Sequence, residues 1–154
     1  AKEVFVQIST KFTIAVHLLT AVAYFSESQK VTSDFLAGSI GSNPVIIRNI
    51  MGQLKEAGLI DIKRGPGGIT LEKKLTDISF LDIYKAVETN SEEVLFRFHE
   101  NPNPLCPIGR TIHKSLDGAL EEIQKNFELE LSKWTLADVY ENSLEELRKE
   151  KQNE

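Results

Sequence analysis

The chain has 154 residues, 41% of them hydrophobic, and a formal net charge of −5. That length allows one domain, or one small domain with an appendage, around an ordinary core. No run of 18 apolar residues occurs, the N-terminus lacks the basic-then-apolar pattern of a secretory signal, and Cys106 is the single cysteine, so the expectation is a cytoplasmic protein with no membrane span and no internal disulfide.

The total charge hides a split. Residues 1–74 carry 9 Lys+Arg against 6 Asp+Glu, net +3, and residues 75–154 carry 9 against 17, net −8. A mildly basic first half and an acidic second half suit a polyanion-binding module joined to a different one, and equally an uneven solvated surface. The first helix is predicted from Ser9 to Phe25, where Phe12, Ala15, Val16, Leu19, Val22 and Ala23 follow three-and-four spacing. His17, inside it, reads as a core or interface residue. Thr32 has the chemistry of an N-cap, Asp34 suits the positive helix end, Phe35, Leu36 and Ile40 supply a core face, and Gly41 stops the helix.

The next helix follows almost at once, over 43–57, with Asn43 as cap and Pro44 in the first position, where a missing N–H costs nothing. Ile46, Ile47, Ile50, Met51 and Leu54 are expected to cover its buried sides, and Gly58 to end it in the left-handed conformation. Two helices joined by so short a turn make a helix-turn-helix. Strand-like alternation then appears before and after Arg64-Gly65-Pro66-Gly67-Gly68, so residues 59–74 read as a two-stranded ribbon with a basic, glycine-rich tip. A helix entering the major groove with a ribbon along the backbone or minor groove suits duplex DNA.

Ser79 is placed to cap a helix through Glu88, with Leu81, Ile83, Tyr84 and Val87 as its contacts, and residues 89–109 read as loop. A long amphipathic helix is predicted from Gly109 to Ser132, with Ile112, Leu116, Ala119, Leu120, Ile123, Phe127 and Leu131 on one stripe. That stripe suits its own domain or a second copy of the chain. Thr135 with Asp138 resembles another N-cap, opening a last helix from Leu136 to Lys149. The fold class is mainly α with a small β-hairpin: a winged helix-turn-helix over 1–78, then an effector-responsive loop and dimerisation helices over 79–154.

Several blocks together resemble the Rrf-two family of bacterial winged-helix transcription regulators. They are Phe12-Thr-Ile-Ala-Val-His-Leu-Leu19, Leu54-Lys-Glu-Ala-Gly-Leu59, Arg64-Gly-Pro-Gly-Gly68, Leu81-Asp-Ile-Tyr-Lys-Ala-Val-Glu88 and Cys106-Pro-Ile-Gly109. The resemblance implies a homodimer built on the long helix, a palindromic operator, and a sensory region between wing and long helix. By position, Arg64 matches the wing arginine placed in the minor groove and the front of 43–57 matches the recognition helix. Arg48 stands where a member of the family uses an acidic residue to discriminate bases, and arginine there suits guanine O6 and N7. Cluster-binding members hold three cysteines before the long helix. This chain has only Cys106, so no iron–sulfur cluster and no other cofactor is carried over.

The candidate DNA-binding residues are Ser42, Asn43, Val45, Arg48, Lys63, Arg64, Gly65, Gly67 and Gly68, with Lys73 and Lys74 suited to phosphate. The candidate dimer interface is Ile112, Leu116, Ala119, Leu120, Ile123 and Phe127. Cys106 has three readings: a redox-sensing thiol before a helix N-terminus, a packed small residue, or a metal partner of His99 or His113. The partners expected are double-stranded DNA, a second copy, and an unidentified small-molecule or oxidant effector. No catalytic constellation is present, so an enzyme is not expected. The alternative readings are a winged-helix protein-interaction module without DNA binding and, behind it, a thiol or metal enzyme centred on Cys106 with His99 or His113.

Overall fold

The computed structural model describes residues 9–64, 67–88, 95, 96 and 98–153. Six helices and one hairpin follow in chain order: α1 (Thr10–Phe25), α2 (Ser33–Ile40), α3 (Pro44–Glu56), β1 (Ile60–Lys63), β2 (Gly68–Leu71), α4 (Phe80–Val87), α5 (Ile112–Ser132) and α6 (Leu136–Gln152). The expected caps are in place. Thr32 Oγ1 accepts the Phe35 N–H at 3.1 Å, and Asn43 Oδ1 accepts the Val45 N–H at 2.8 Å, each supplying an orphan donor of a helix start with a partner. Gly41 and Gly58 end α2 and α3 at φ +75° and +77°.

The buried side chains form one cluster. It gathers Leu18, Leu19 and Val22 of α1, Leu36 of α2, Ile47, Ile50 and Leu54 of α3, the hairpin's Ile60 and Ile69, Ile83 and Val87 of α4, and Leu136 at the head of α6. The three-and-four spacing of α1 to α4 turns their apolar sides inward, and alternation along the strands does the same for the hairpin. Two expectations need correction. Leu18 and Ala21 are buried although they lie off the expected stripe of α1, whose burial spans a wider arc. Ile46 is exposed, because α3 needs only Ile47, Ile50, Met51 and Leu54 to meet the core and Ile46 lies at that side's margin.

β1 and β2 are antiparallel, with Ile60 opposite Leu71 and Lys63 opposite Gly68. The hairpin is tied down on its far side too, since Ile69 N–H donates to Val31 O at 3.0 Å. Gly68 makes that approach possible: its φ is +63°, and a Cβ there would lie 2.8 Å from Val31 O.

The starts of α4 and α6 are clamped side by side. Ser79 and Asp82 form a reciprocal capping box (2.9 and 3.0 Å), and Thr135 N–H donates to Asp138 Oδ2 at 2.8 Å. The two capping residues face each other across an isolated antiparallel bridge, with Phe80 N–H to Trp134 O and Leu136 N–H to Ile78 O both at 2.8 Å. Trp134 stacks beside Phe80. At the same corner Glu130 accepts from Lys133 Nζ (3.1 Å) and Trp134 Nε1 (3.4 Å), which hold its carboxyl below the usual carboxylate range.

α5 differs from the other helices: none of its 21 residues is buried. It starts at Ile112, three residues later than expected, because 103–111 are spent on turns. Cys106 N–H donates to Asn103 O (3.1 Å), Arg110 N–H to Cys106 O (3.0 Å), and Thr111 N–H to Ile108 O (3.1 Å). α6 lies along α1, so that Tyr24 near the end of α1 and Leu147 near the end of α6 line the same groove. Among the described residues, no helix is long and apolar enough to cross a membrane.

Candidate nucleic-acid interface

α3 is anchored by its buried side and presents the other outward. Asn43, Val45, Ile46, Arg48, Asn49 and Gly52 are all exposed, and Ser42 is half-buried at the preceding turn. Asn43 spends its carbonyl oxygen on the cap, so its part in setting the helix start is visible in the geometry. Sequence reasoning missed Ile46, assigned to the core, and Asn49, which shares the outward side and carries an amide suited to adenine edges. The missing signal is available in retrospect. A helix of this length with four buried apolar positions has no core left for Ile46.

The hairpin leaves Lys63, Arg64 and Gly67 exposed at the tip, with Lys73 and Lys74 exposed just beyond β2. Gly65 and Pro66 lie outside the described residues. Gly68 belongs to the inner side of the hairpin, buried against Val31, so its place in the contact set falls away for a steric reason. From Asn43 to Lys74 the chain holds 6 Lys+Arg and 3 Asp+Glu, and all six cations are exposed. The ion pairs formed by described residues lie elsewhere, at Lys133–Glu130, Arg148–Glu145 and Lys149–Glu146. A basic ribbon beside a helix whose first turn is open gives charge attraction for a polyanion together with side chains able to reach base edges.

The proposed interface residues on α5 divide in two. Phe127 packs edge-on against Tyr84 of α4 (5.4 Å between ring centroids), and Leu95 N–H donates to Gln124 Oε1 at 2.8 Å, so this side holds α5 to its own chain. Ile112 and Leu120 are half-buried, whereas Leu116, Ala119 and Ile123 are exposed, Ile123 by 46%. His17 is also exposed rather than core. Its Nε2 lies 3.1 Å from Ser39 Oγ on the wall of an open groove of about 680 Å³ between α1 and α6.

Cys106 is exposed, which corrects the packed reading, and it sits in turns rather than at the first turn of α5. His113 stacks on Phe98 and its Nε2 lies 3.1 Å from His99 O. Among the described residues no three His, Cys, Asp or Glu stand together as metal ligands.

A family model described as iron-dependent transcriptional regulator, Rrf2, matches residues 8–142. The chain belongs to the Rrf2 family of transcriptional regulators and has its winged-helix fold. A protein named as an HTH-type transcriptional regulator, YwnA of Bacillus subtilis, is 38% identical over 132 residues, covering 86% of this chain and 96% of its own. A crystallised protein described as DNA-binding is 32% identical with a TM-score of 0.67, covering 84% of this chain and 97% of its own. IscR of T. potens shares the fold at 24% identity and a TM-score of 0.63, over 89% of this chain and 88% of its own. The donor set does not suit an iron–sulfur cluster: the whole chain offers one thiolate, where such clusters take several.

Proposed function

We propose that this protein is a homodimeric repressor that binds a palindromic operator in double-stranded DNA. Each subunit enters the major groove with the front of helix 43–57 and lays the wing 59–74 along the adjacent backbone, with Arg64 in the minor groove. The observation that carries this reading is the pairing on one module of an outward-facing first turn of α3 with six exposed cations from Arg48 to Lys74. Arg48 reads guanine, and Lys63, Lys73 and Lys74 supply sequence-blind phosphate contacts.

Residues 1–78 act as the DNA-binding part and 79–154 as the regulatory and dimerising part, with Leu116, Ala119 and Ile123 of α5 against their copies. The protein works in the cytoplasm without a cluster and without catalysis. An unidentified small-molecule or oxidant effector acts through residues 89–110, among which Cys106 is open to solvent, and through the long helix, and changes the relative setting of the two wing modules.

Gel-shift titration of Arg64→Ala across a salt series tests this. A loss of about 1–3 kcal/mol in specific affinity is expected, together with a steep salt dependence of the unsubstituted protein. Unchanged affinity would remove Arg64 from the interface. Salt-indifferent binding would favour a protein-interaction module.

A further inference from the structure

Val45 and Ile46 are the second and third residues of α3, and they are 57% and 44% exposed. Nothing in the fold explains two β-branched apolar side chains in water at this point. They contribute little to the core, and β-branched residues are less favourable in helices than straight-chain ones. Arg48 is exposed one turn on, Lys55 is exposed in the last turn of the same helix, and Lys63 and Arg64 are exposed on the hairpin of the same module. Gly52 lies on the same side as Val45, seven residues along. It is exposed, and a Cβ built there meets nothing within 4 Å, so no contact among the described residues requires a glycine in mid-helix.

An apolar first turn followed by an exposed arginine, on a module rich in exposed cations, has one natural counterpart on a polyanion. The major groove displays a single apolar group among its hydrogen-bonding edges, the C5 methyl of thymine. N-terminal residues of a recognition helix are the ones that reach base edges. We propose that Val45 and Ile46 read thymine methyl groups, so that each operator half-site carries T·A pairs beside the G·C pair met by Arg48. This rests on the DNA-binding reading above and adds the base composition that the interface selects.

The test begins with the full chain and a random duplex pool, from which a bound sequence is selected. That duplex is then resynthesised with deoxyuridine replacing thymidine at one position at a time, which removes the methyl and keeps the base pair. About fourfold weaker binding is expected at each contacted position, the ratio that corresponds to about 0.8 kcal/mol for one buried methyl-sized group. Val45→Ala/Ile46→Ala should bind the thymidine and deoxyuridine duplexes equally. Equal affinity of the unsubstituted chain for both duplexes overturns the proposal and leaves the apolar turn to a protein contact. Persistent thymidine preference in the double variant overturns the assignment to these two side chains. Should the double variant fail to fold, Val45→Ala and Ile46→Ala taken singly replace it, and a thymidine preference undiminished in both overturns the assignment. Selection that enriches no duplex overturns the DNA reading, and this proposal with it.

Discussion

α3 and α5 are both amphipathic surface helices, yet they stand on opposite footings. α3 sets four buried residues into the core over 13 positions, whereas α5 sets none over 21. Helices draw most of their stability from tertiary packing of one face. The outward side of α3 is therefore spare, free to carry recognition because the inward side already secures the element. The outward side of α5 is unmet need. Inside one chain α5 holds on through Phe127 against Tyr84 and Gln124 against Leu95, while Leu116, Ala119 and Ile123 face water. A surface left over and a surface left wanting look alike in an exposure profile, but they answer differently to mutation.

Leu54→Ala on the buried side of α3 gives the largest effect, because Leu54 is wholly enclosed by the core cluster. A loss of about 2–5 kcal/mol is expected in urea unfolding, from lost burial plus the cavity left behind. Leu116→Ser with Ile123→Ser on α5 should change the stability of the isolated subunit little, since exposed positions usually stay within about 0.5 kcal/mol. The same pair should convert the proposed dimer to single chains in sedimentation equilibrium. A retained dimer mass would place the wanting surface elsewhere, and a subunit unfolded by the α5 pair would erase the contrast between the helices.

The next effect concerns the clamp that joins the two regions, and it also shows what the sequence makes legible. Ser79→Ala removes the hydroxyl that accepts the Asp82 N–H, and a loss of about 1 kcal/mol in thermal unfolding is expected. The caps at Ser79 and Thr135 are readable because their chemistry is local: a short polar side chain, and an acidic one three residues on. That the two caps pair with each other is not readable, since 56 residues separate them and no periodicity links them. The same division runs through the candidate site. Asn43, Pro44, Gly58 and the ribbon announce themselves by local conformation. Ile46 does not, because spacing says that a residue is apolar without saying which partner covers it. The late start of α5 is hidden for a related reason. A Cβ at Gly109 would lie 2.5 Å from Asn103 O, so that glycine serves a turn folded back on 103 rather than a helix start. Gly68 looked like part of an open tip and is instead the place where the hairpin meets Val31.

The smallest effect separates folding from binding most cleanly. α3 and α5 each carry a mid-helix glycine, Gly52 and Gly118, and at both an added Cβ meets nothing within 4 Å. Neither has a positive φ, so alanine fits without strain. Replacing either one should stabilise the subunit by about 0.5–1 kcal/mol through helix propensity, a rise in Tm of about 1–4 °C for a chain of this size. A protein selected for stability alone has no reason to keep them. If the open side of α3 lies against a groove wall, the extra methyl of Gly52→Ala takes room the duplex needs, and operator affinity falls while Tm rises. Gly118→Ala, on a helix proposed to meet its copy rather than DNA, should leave the intrinsic affinity of an assembled dimer for the duplex unchanged. Calorimetry of the free protein and fluorescence titration with duplex, run on the same preparations, give both signs. Affinity that holds steady in Gly52→Ala would mean that this stretch of α3 stands clear of the DNA, and contact would then be confined to the helix's first turn.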